Sequence, residues 1–128
     1  MNKFASRAFR FAGIYGLIVL VPQLFVESRI SHDYPPAITH AEYFYGFLGV
    51  AIAFQLVFLV IATDPVRYRA FMLLSVVEKL AFSVPSIALY AQHRLALVTT
   101  CFASFDLVLG ALFLVAWRKT PLESRVAS

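Results

Sequence analysis

The stretch from Phe71 to Ala91 reads FMLLSVVEKLAFSVPSIALYA, and its only charged residues, Glu78 and Lys79, lie at its centre. A helix of about 20 apolar residues crosses the hydrocarbon core of a bilayer. Charged side chains are rare at that depth, because each costs about 2.5–3.5 kcal/mol on insertion scales, and they usually face the interior of a helix bundle. The stretch therefore predicts a membrane-spanning helix that carries an inward polar site.

Three further apolar runs of similar length accompany this stretch, and together they predict an all-α membrane protein. We expect a single domain over residues 1–128, folded as an antiparallel bundle of four transmembrane helices with both termini in the cytoplasm. The connections at Asp64-Pro65 and around His93 are short enough for hairpins, whereas Glu27 to Glu42 is the only long loop. The predicted spans are approximately 8–26, 43–62, 67–91 and 95–117.

The composition supports this fold class. Apolar residues make up 61% of the chain and charged residues 14%, and the mean hydropathy is +0.79. Soluble domains are typically about 45–50% apolar and about 25% charged. The pI near 9.5 could indicate a nucleic-acid partner, but the basic residues cluster at the ends of the apolar runs, and we therefore expect none.

The basic residues also predict the orientation of the bundle. Eight of the eleven fall on the side that holds both termini. The positive-inside rule places that side in the cytoplasm, as in a multi-pass protein of the inner (plasma) membrane. The eight residues are Lys3, Arg7, Arg10, Arg67, Arg69, Arg118, Lys119 and Arg125.

A third charge, Asp106, lies at the same predicted depth as Lys79. If His93 is the centre of the hairpin, Lys79 precedes it by fourteen residues and Asp106 follows it by thirteen. Because a helix rises about 1.5 Å per residue, the two side chains are nearly level. We therefore predict an ion pair between Lys79 and Asp106, which would leave Glu78 without a counter-charge.

Two uncharged polar residues complete the predicted cluster. Gln55 should lie nearly level with Glu78 across the turn at 65–66, and Ser75 can add a hydrogen bond between helices. Small residues on the same helices would let them pack closely around the cluster. These small residues are Gly46, Gly49, Ala53, Thr99, Ala103 and Gly110. The candidate ligand-binding or intramembrane polar cluster is Gln55, Ser75, Glu78, Lys79 and Asp106, and no catalytic residue is assigned.

Three functions are compatible with this cluster. The favoured one is binding of a small hydrophobic or lipid-like molecule, with Glu78 and Gln55 as polar contacts. The alternative is a structural accessory subunit of a membrane complex, in which the cluster only fixes helix packing. A lipid- or quinone-modifying enzyme is the third. Expected partners are membrane lipids and a homo- or hetero-oligomer in the membrane.

No metal or cofactor is predicted. His32-Asp33 and His40-x-Glu42 have the side chains of metal ligands, but their spacing matches no strong metal motif. No span contains a central pair of histidines that could hold haem. Cys101 is the only cysteine, so an internal disulfide is excluded.

Several short blocks are similar to those of the DoxX-like group of small four-helix bacterial membrane proteins. The blocks are Tyr43 to Val50 (YFYGFLGV), Asp64 to Tyr68 (DPVRY), Glu78 to Leu80 (EKL) and Asp106 to Gly110 (DLVLG). The resemblance implies an inner-membrane four-helix bundle. It brings no activity with it, and no catalytic residue is carried over.

The orientation predicts which engineered cysteines an impermeant thiol reagent can reach. A cysteine placed at Ser31 should be labelled from outside the cell, and one placed at Ser124 should be protected, because the basic ends of the spans stay in the cytoplasm. Mass spectrometry of the labelled protein measures both. The reverse pattern would refute the predicted orientation.

Overall fold

The computed structural model describes residues 3–122 and is helical throughout, with no strand among those residues. Four of its five α-helices are long and apolar enough to cross a membrane, which indicates a multi-pass membrane protein and confirms the predicted class. The helices are α1 (Lys3–Leu20), α2 (Glu27–Asp33), α3 (Ala41–Thr63), α4 (Arg69–Ala91) and α5 (Leu97–Lys119). Ser124 and Arg125, used in the predictions above, lie outside the described residues.

The first span begins earlier than predicted and ends within about a residue of its prediction. Helix α1 begins at Lys3 rather than near Ala8, and the leader that adds about one more turn contains the good helix formers Lys3, Ala5 and Arg7. At the other end Pro22 lies in the first turn of a 3₁₀ helix, Val21–Phe25, that extends the span. The stretch predicted as a loop contains α2, so that prediction was wrong for Glu27–Asp33.

The two short connections are turns, as predicted. The Asp64 carboxylate accepts the backbone N–H of Arg67 at 3.4 Å, and this stabilises the turn that separates α3 from α4. Helix α4 begins at Arg69 rather than at residue 67, and α5 covers Leu97–Lys119 rather than 95–117. At the second turn, His93 adopts a left-handed conformation with φ of 59°, a common way for a helix to end.

The four long helices pack as two close pairs. Helix α1 lies against α3, where Gly13 and Gly16 let the backbones approach, and α4 lies against α5. The pairs meet around three buried aromatic rings, Phe9, Phe58 and Phe113. The Phe9 and Phe113 rings stack with centroids 4.1 Å apart, and the Phe58 and Phe113 centroids are 4.9 Å apart. Helices α3 and α4 touch the least closely of the adjacent helices.

On α3, two of the small residues predicted to face a neighbouring helix do not do so. Gly46 and Gly49 are exposed, and a Cβ added to either would meet no atom within 4 Å. They therefore face away from the bundle. On α5 the prediction holds for Ala103 and Gly110, which are buried, and a Cβ on Gly110 would approach Lys79 Cβ to 3.3 Å.

Gly16→Ala should destabilise the protein, because the added methyl group would collide with the buried side-chain amide of Gln55. Overpacking of this kind typically costs about 1–3 kcal/mol. Gly49→Ala is the matched control, since it adds the same methyl group to open space. Thermal unfolding in detergent should show a lower Tm for Gly16→Ala only. Equal Tm values for the two variants would contradict the described packing of α1 on α3.

Candidate functional site

The predicted ion pair between Lys79 and Asp106 is confirmed by the geometry. Lys79 Nζ donates a hydrogen bond to Asp106 Oδ1 at 3.4 Å, across the α4–α5 interface. The lysine side chain is buried, and 18% of the aspartate side chain is exposed. Gly110, one turn beyond Asp106 on α5, lies against the base of the lysine side chain. A larger residue there would push the two helices apart at the pair.

Glu78 does not lie apart from this pair, and the expectation that it lacks a counter-charge was wrong. Its Oε2 atom is 3.7 Å from Lys79 Nζ, so one ammonium group serves both carboxylates. The long lysine side chain bends toward its sequence neighbour although the two Cβ atoms point about 100° apart. With all three groups ionised, the cluster carries one uncompensated negative charge. Glu78 Oε2 is buried and has no hydrogen-bond donor among the described residues.

An aromatic ring closes one side of the cluster. Lys79 Nζ lies 5.1 Å from the centroid of the Phe58 ring on α3, within the range of a cation–π interaction. Phe58 also contacts Phe9 and Phe113, so the cation lies at the edge of the buried aromatic core. Phe58 was not predicted to be part of this cluster. Nothing in the sequence distinguishes it from the other twelve phenylalanines, most of which suit lipid contact equally well.

Gln55 is buried at the interface between α1 and α3 rather than beside Glu78. Its Nε2 atom donates to the Ala51 carbonyl at 2.8 Å, and its Oε1 atom lies against Gly16. Oε1 has no conventional donor among the described residues. An α-hydrogen of Gly16 points toward it, which fits a weak Cα–H···O contact. With only 1% of its surface exposed, Gln55 cannot reach a molecule that enters from the lipid.

Ser75 lies one turn before Lys79 on the same buried face of α4. Its hydroxyl donates to the Phe71 carbonyl at 2.8 Å within its own helix. Its small side chain therefore lets α4 and α5 pack closely at this point, and its hydroxyl does not bond to the charged groups. Of the five predicted residues, the structure brings together Glu78, Lys79 and Asp106. Gly13 and Gly16, which position Gln55, were missed, although a pair of glycines in an apolar run is a known signal of close helix packing.

A groove on the bundle surface lies in the loosely packed interface between α3 and α4, and no residue of the charged cluster lines it. It has a volume of about 310 Å³ and an entirely apolar lining. The lining residues are Ala53, Leu56, Val57, Val60, Ile61, Tyr68 and Phe71. Ligand sites typically measure about 300–1,000 Å³ and are mostly apolar. The groove therefore has the size and chemistry to hold an alkyl chain.

A second cavity, of about 360 Å³, lies at the junction of the 3₁₀ helix and α2. It is open, and residues 24–29 and Tyr45 line it. There Tyr45 donates a hydrogen bond to Glu27 at 2.8 Å, which joins α3 to α2. This cavity shares no lining residue with the charged cluster. In the described part of the chain, no group of three or more His, Cys, Asp or Glu side chains is placed to hold a metal.

Removing the shared cation should be more damaging than removing the whole pair. Lys79→Met leaves two carboxylates buried and unpaired, and breaking a buried pair costs about 3–5 kcal/mol. Asp106→Leu in the same protein should restore part of the lost stability, and Glu78→Gln should restore more. Unfolding free energies of the single, double and triple variants measure this coupling. Strictly additive losses would show that Lys79 does not neutralise these carboxylates.

Comparisons with protein-family models, with curated proteins and with solved structures find no match for this chain. No relative therefore assigns a role to Glu78, Lys79 or Asp106. The similarity to DoxX-like proteins remains a prediction from the short sequence blocks.

Proposed function

We propose that the protein binds a small hydrophobic or lipid-like molecule in the groove between α3 and α4, with the Glu78 carboxyl as its polar contact. One observation carries the proposal. The buried Oε2 of Glu78 has the Lys79 ammonium at 3.7 Å but accepts no hydrogen bond among the described residues, and an apolar groove of ligand size is lined by the same helix at Phe71. Such an oxygen would accept a hydrogen bond from a hydroxyl, amine or amide of the bound molecule.

The helical spacing supports the position of Glu78 in this interface. Phe71, Glu78 and Phe82 share one face of α4, because residues seven and eleven positions apart on a helix point in similar directions. Phe71 lines the groove, and the Phe82 ring lies 5.8 Å from that of Phe47 on α3. Glu78, between them on α4, therefore faces α3 as well. Its side chain retains 16% exposure, which leaves room for a contact.

Gln55, which the sequence analysis paired with Glu78 as a ligand contact, is not included in the proposed site. Its amide is enclosed between α1 and α3, and its exposed fraction is too small for contact with a ligand in the groove. Lys79 and Asp106 act as the scaffold that holds Glu78 in place. Membrane lipids are the most abundant source of ligands with this chemistry.

We further infer an antiparallel four-helix arrangement in the inner membrane with both termini in the cytoplasm. Ser6, near the start of α1, donates to the Ala62 carbonyl near the end of α3 at 2.7 Å. Arg69, at the start of α4, donates to the Thr120 carbonyl just after α5, also at 2.7 Å. These contacts support a bundle with the start of α1 and the end of α5 on one side, where the basic residues cluster.

Glu78→Gln tests the proposal, because it preserves the shape of the side chain and removes its ability to ionise. The variant should fold normally yet lose the co-purifying molecule, measured by mass spectrometry of the protein extracted in mild detergent. Ala53→Phe should do the same by filling the groove without touching the charges. Glu42→Gln, which removes an exposed carboxylate at the start of α3, is the matched control and should retain the molecule.

The two variants also separate ligand binding from a purely structural role. Tm and bound lipid are compared with those of the unmodified protein between about pH 5 and 9, a range that lies above the ordinary carboxyl pKa of about 4, so that only a carboxyl group with a raised pKa would titrate in it. If both variants keep the unmodified protein's stability, bound lipid and pH dependence, the cluster serves packing alone. The protein would then fit the alternative function of a structural accessory subunit.

A further inference from the structure

The two ends of the α4–α5 interface differ in polarity on either side of Lys79. Toward the turn at His93, the buried face of α4 continues with Ser83 and Ser86. The opposing face of α5 contributes the buried Thr100 there. These three hydroxyl-bearing residues follow the interface from the ion pair to the turn. We call them the hydroxyl seam.

The opposite end of the same interface is less polar, and the hydroxyls buried there, those of Ser75 and Thr120, each donate to a backbone carbonyl one turn earlier. From Lys79 toward Arg69, the buried face of α4 passes Ser75, whose hydroxyl is bonded within its own helix, and then Met72. On α5 the facing residues are Leu109 and Phe113, both essentially fully buried. The ring of Phe113 in turn stacks on that of Phe9 on α1. This end is apolar and closely packed.

Ser83 is the unusual member of the hydroxyl seam. Serine and threonine in a helix often donate to the carbonyl one turn earlier, and Ser75 and Thr100 do so. The Ser83 hydroxyl is fully buried and has no hydrogen-bond partner among the described residues. Buried polar groups without a protein partner usually bind an ordered water molecule. Lys79, one turn away on the same face, contacts α5 and shows that this face points into the interface.

We propose that the hydroxyl seam binds water and connects the Lys79–Asp106 pair to the aqueous phase at the α4–α5 turn, while the aromatic end stays closed. The seam lies on the α5-facing side of α4, whereas the proposed lipid groove lies on its α3-facing side. The inference therefore does not depend on the groove holding a ligand. Hydration from one side would lower the cost of keeping three charges at this depth, because water solvates them partly.

Thiol reactivity can test this difference with two matched substitutions. Ser83→Cys and Ser75→Cys each change a fully buried serine one turn from Lys79, on opposite sides of it. Both are made in a Cys101→Ala background, because Cys101 is exposed on the bundle surface. The proteins are placed in lipid nanodiscs and treated with methyl methanethiosulfonate, a small uncharged reagent that enters lipid. Mass spectrometry follows the rate of modification.

The thiolate is the reacting form of cysteine, and it forms only where water can solvate it. We expect Ser83→Cys to react at least about tenfold faster than Ser75→Cys, because water reaches only the former position in the proposed arrangement. Val84→Cys, on the exposed lipid-facing side next to Ser83, should also react slowly although the reagent reaches it most easily. A fast Ser83→Cys reaction therefore reports water rather than access of the reagent.

Every outcome decides the proposal. Equal slow rates at positions 75 and 83 would mean that both ends are dry, and equal fast rates would mean that the aromatic end is open; either result overturns it. Thermal unfolding confirms that each variant is folded, and Ser86→Cys replaces Ser83→Cys if the latter is not. The lipid content of Glu78→Gln is measured on a different variant from these rates. The tests of the hydroxyl seam and of the lipid groove can therefore succeed or fail independently.

Discussion

The ammonium group of Lys79 is the constraint on which the centre of the bundle depends. It lies 3.4 Å from one carboxylate and 3.7 Å from another, and one face of the Phe58 ring is directed toward it. A buried charge without such partners would cost several kcal/mol after relaxation. The positions of α3, α4 and α5 around this point are therefore linked. Each helix supplies a group that the cation needs.

The α4–α5 interface is mainly apolar on one side of this cation and carries buried hydroxyl groups on the other. On the side of Arg69 and Lys119 the core consists of stacked aromatic rings and small alanines. At its edge the Arg69 guanidinium lies 4.5 Å from the Trp117 ring centroid, and Lys119 Nζ lies 4.8 Å from that of Phe4. On the other side, the buried faces of α4 and α5 carry Ser83, Ser86 and Thr100. A bundle built for stability alone has no need of this asymmetry.

The loose contact between α3 and α4 leaves an apolar groove on the bundle surface. Close pairing of α1 with α3 depends on glycines, and close pairing of α4 with α5 depends on small residues such as Ala103 and Gly110. No such residues face each other between α3 and α4, and bulky side chains hold those helices apart. The distribution of small residues that closes two interfaces thus leaves the third one open.

The sequence by itself determined the membrane class, the four spans and the pairing of Lys79 with Asp106. Span length follows from bilayer thickness, and depth follows from the helical rise, so both can be obtained by counting residues along the chain. Rotation about each helix axis cannot be counted in this way. Only the tertiary structure decided that Gln55 faces α1, that Gly46 and Gly49 face outward and that Lys79 also reaches Glu78. These outcomes depend on which side chains fit together across an interface, and an apolar run is compatible with many rotations until its neighbours are in place.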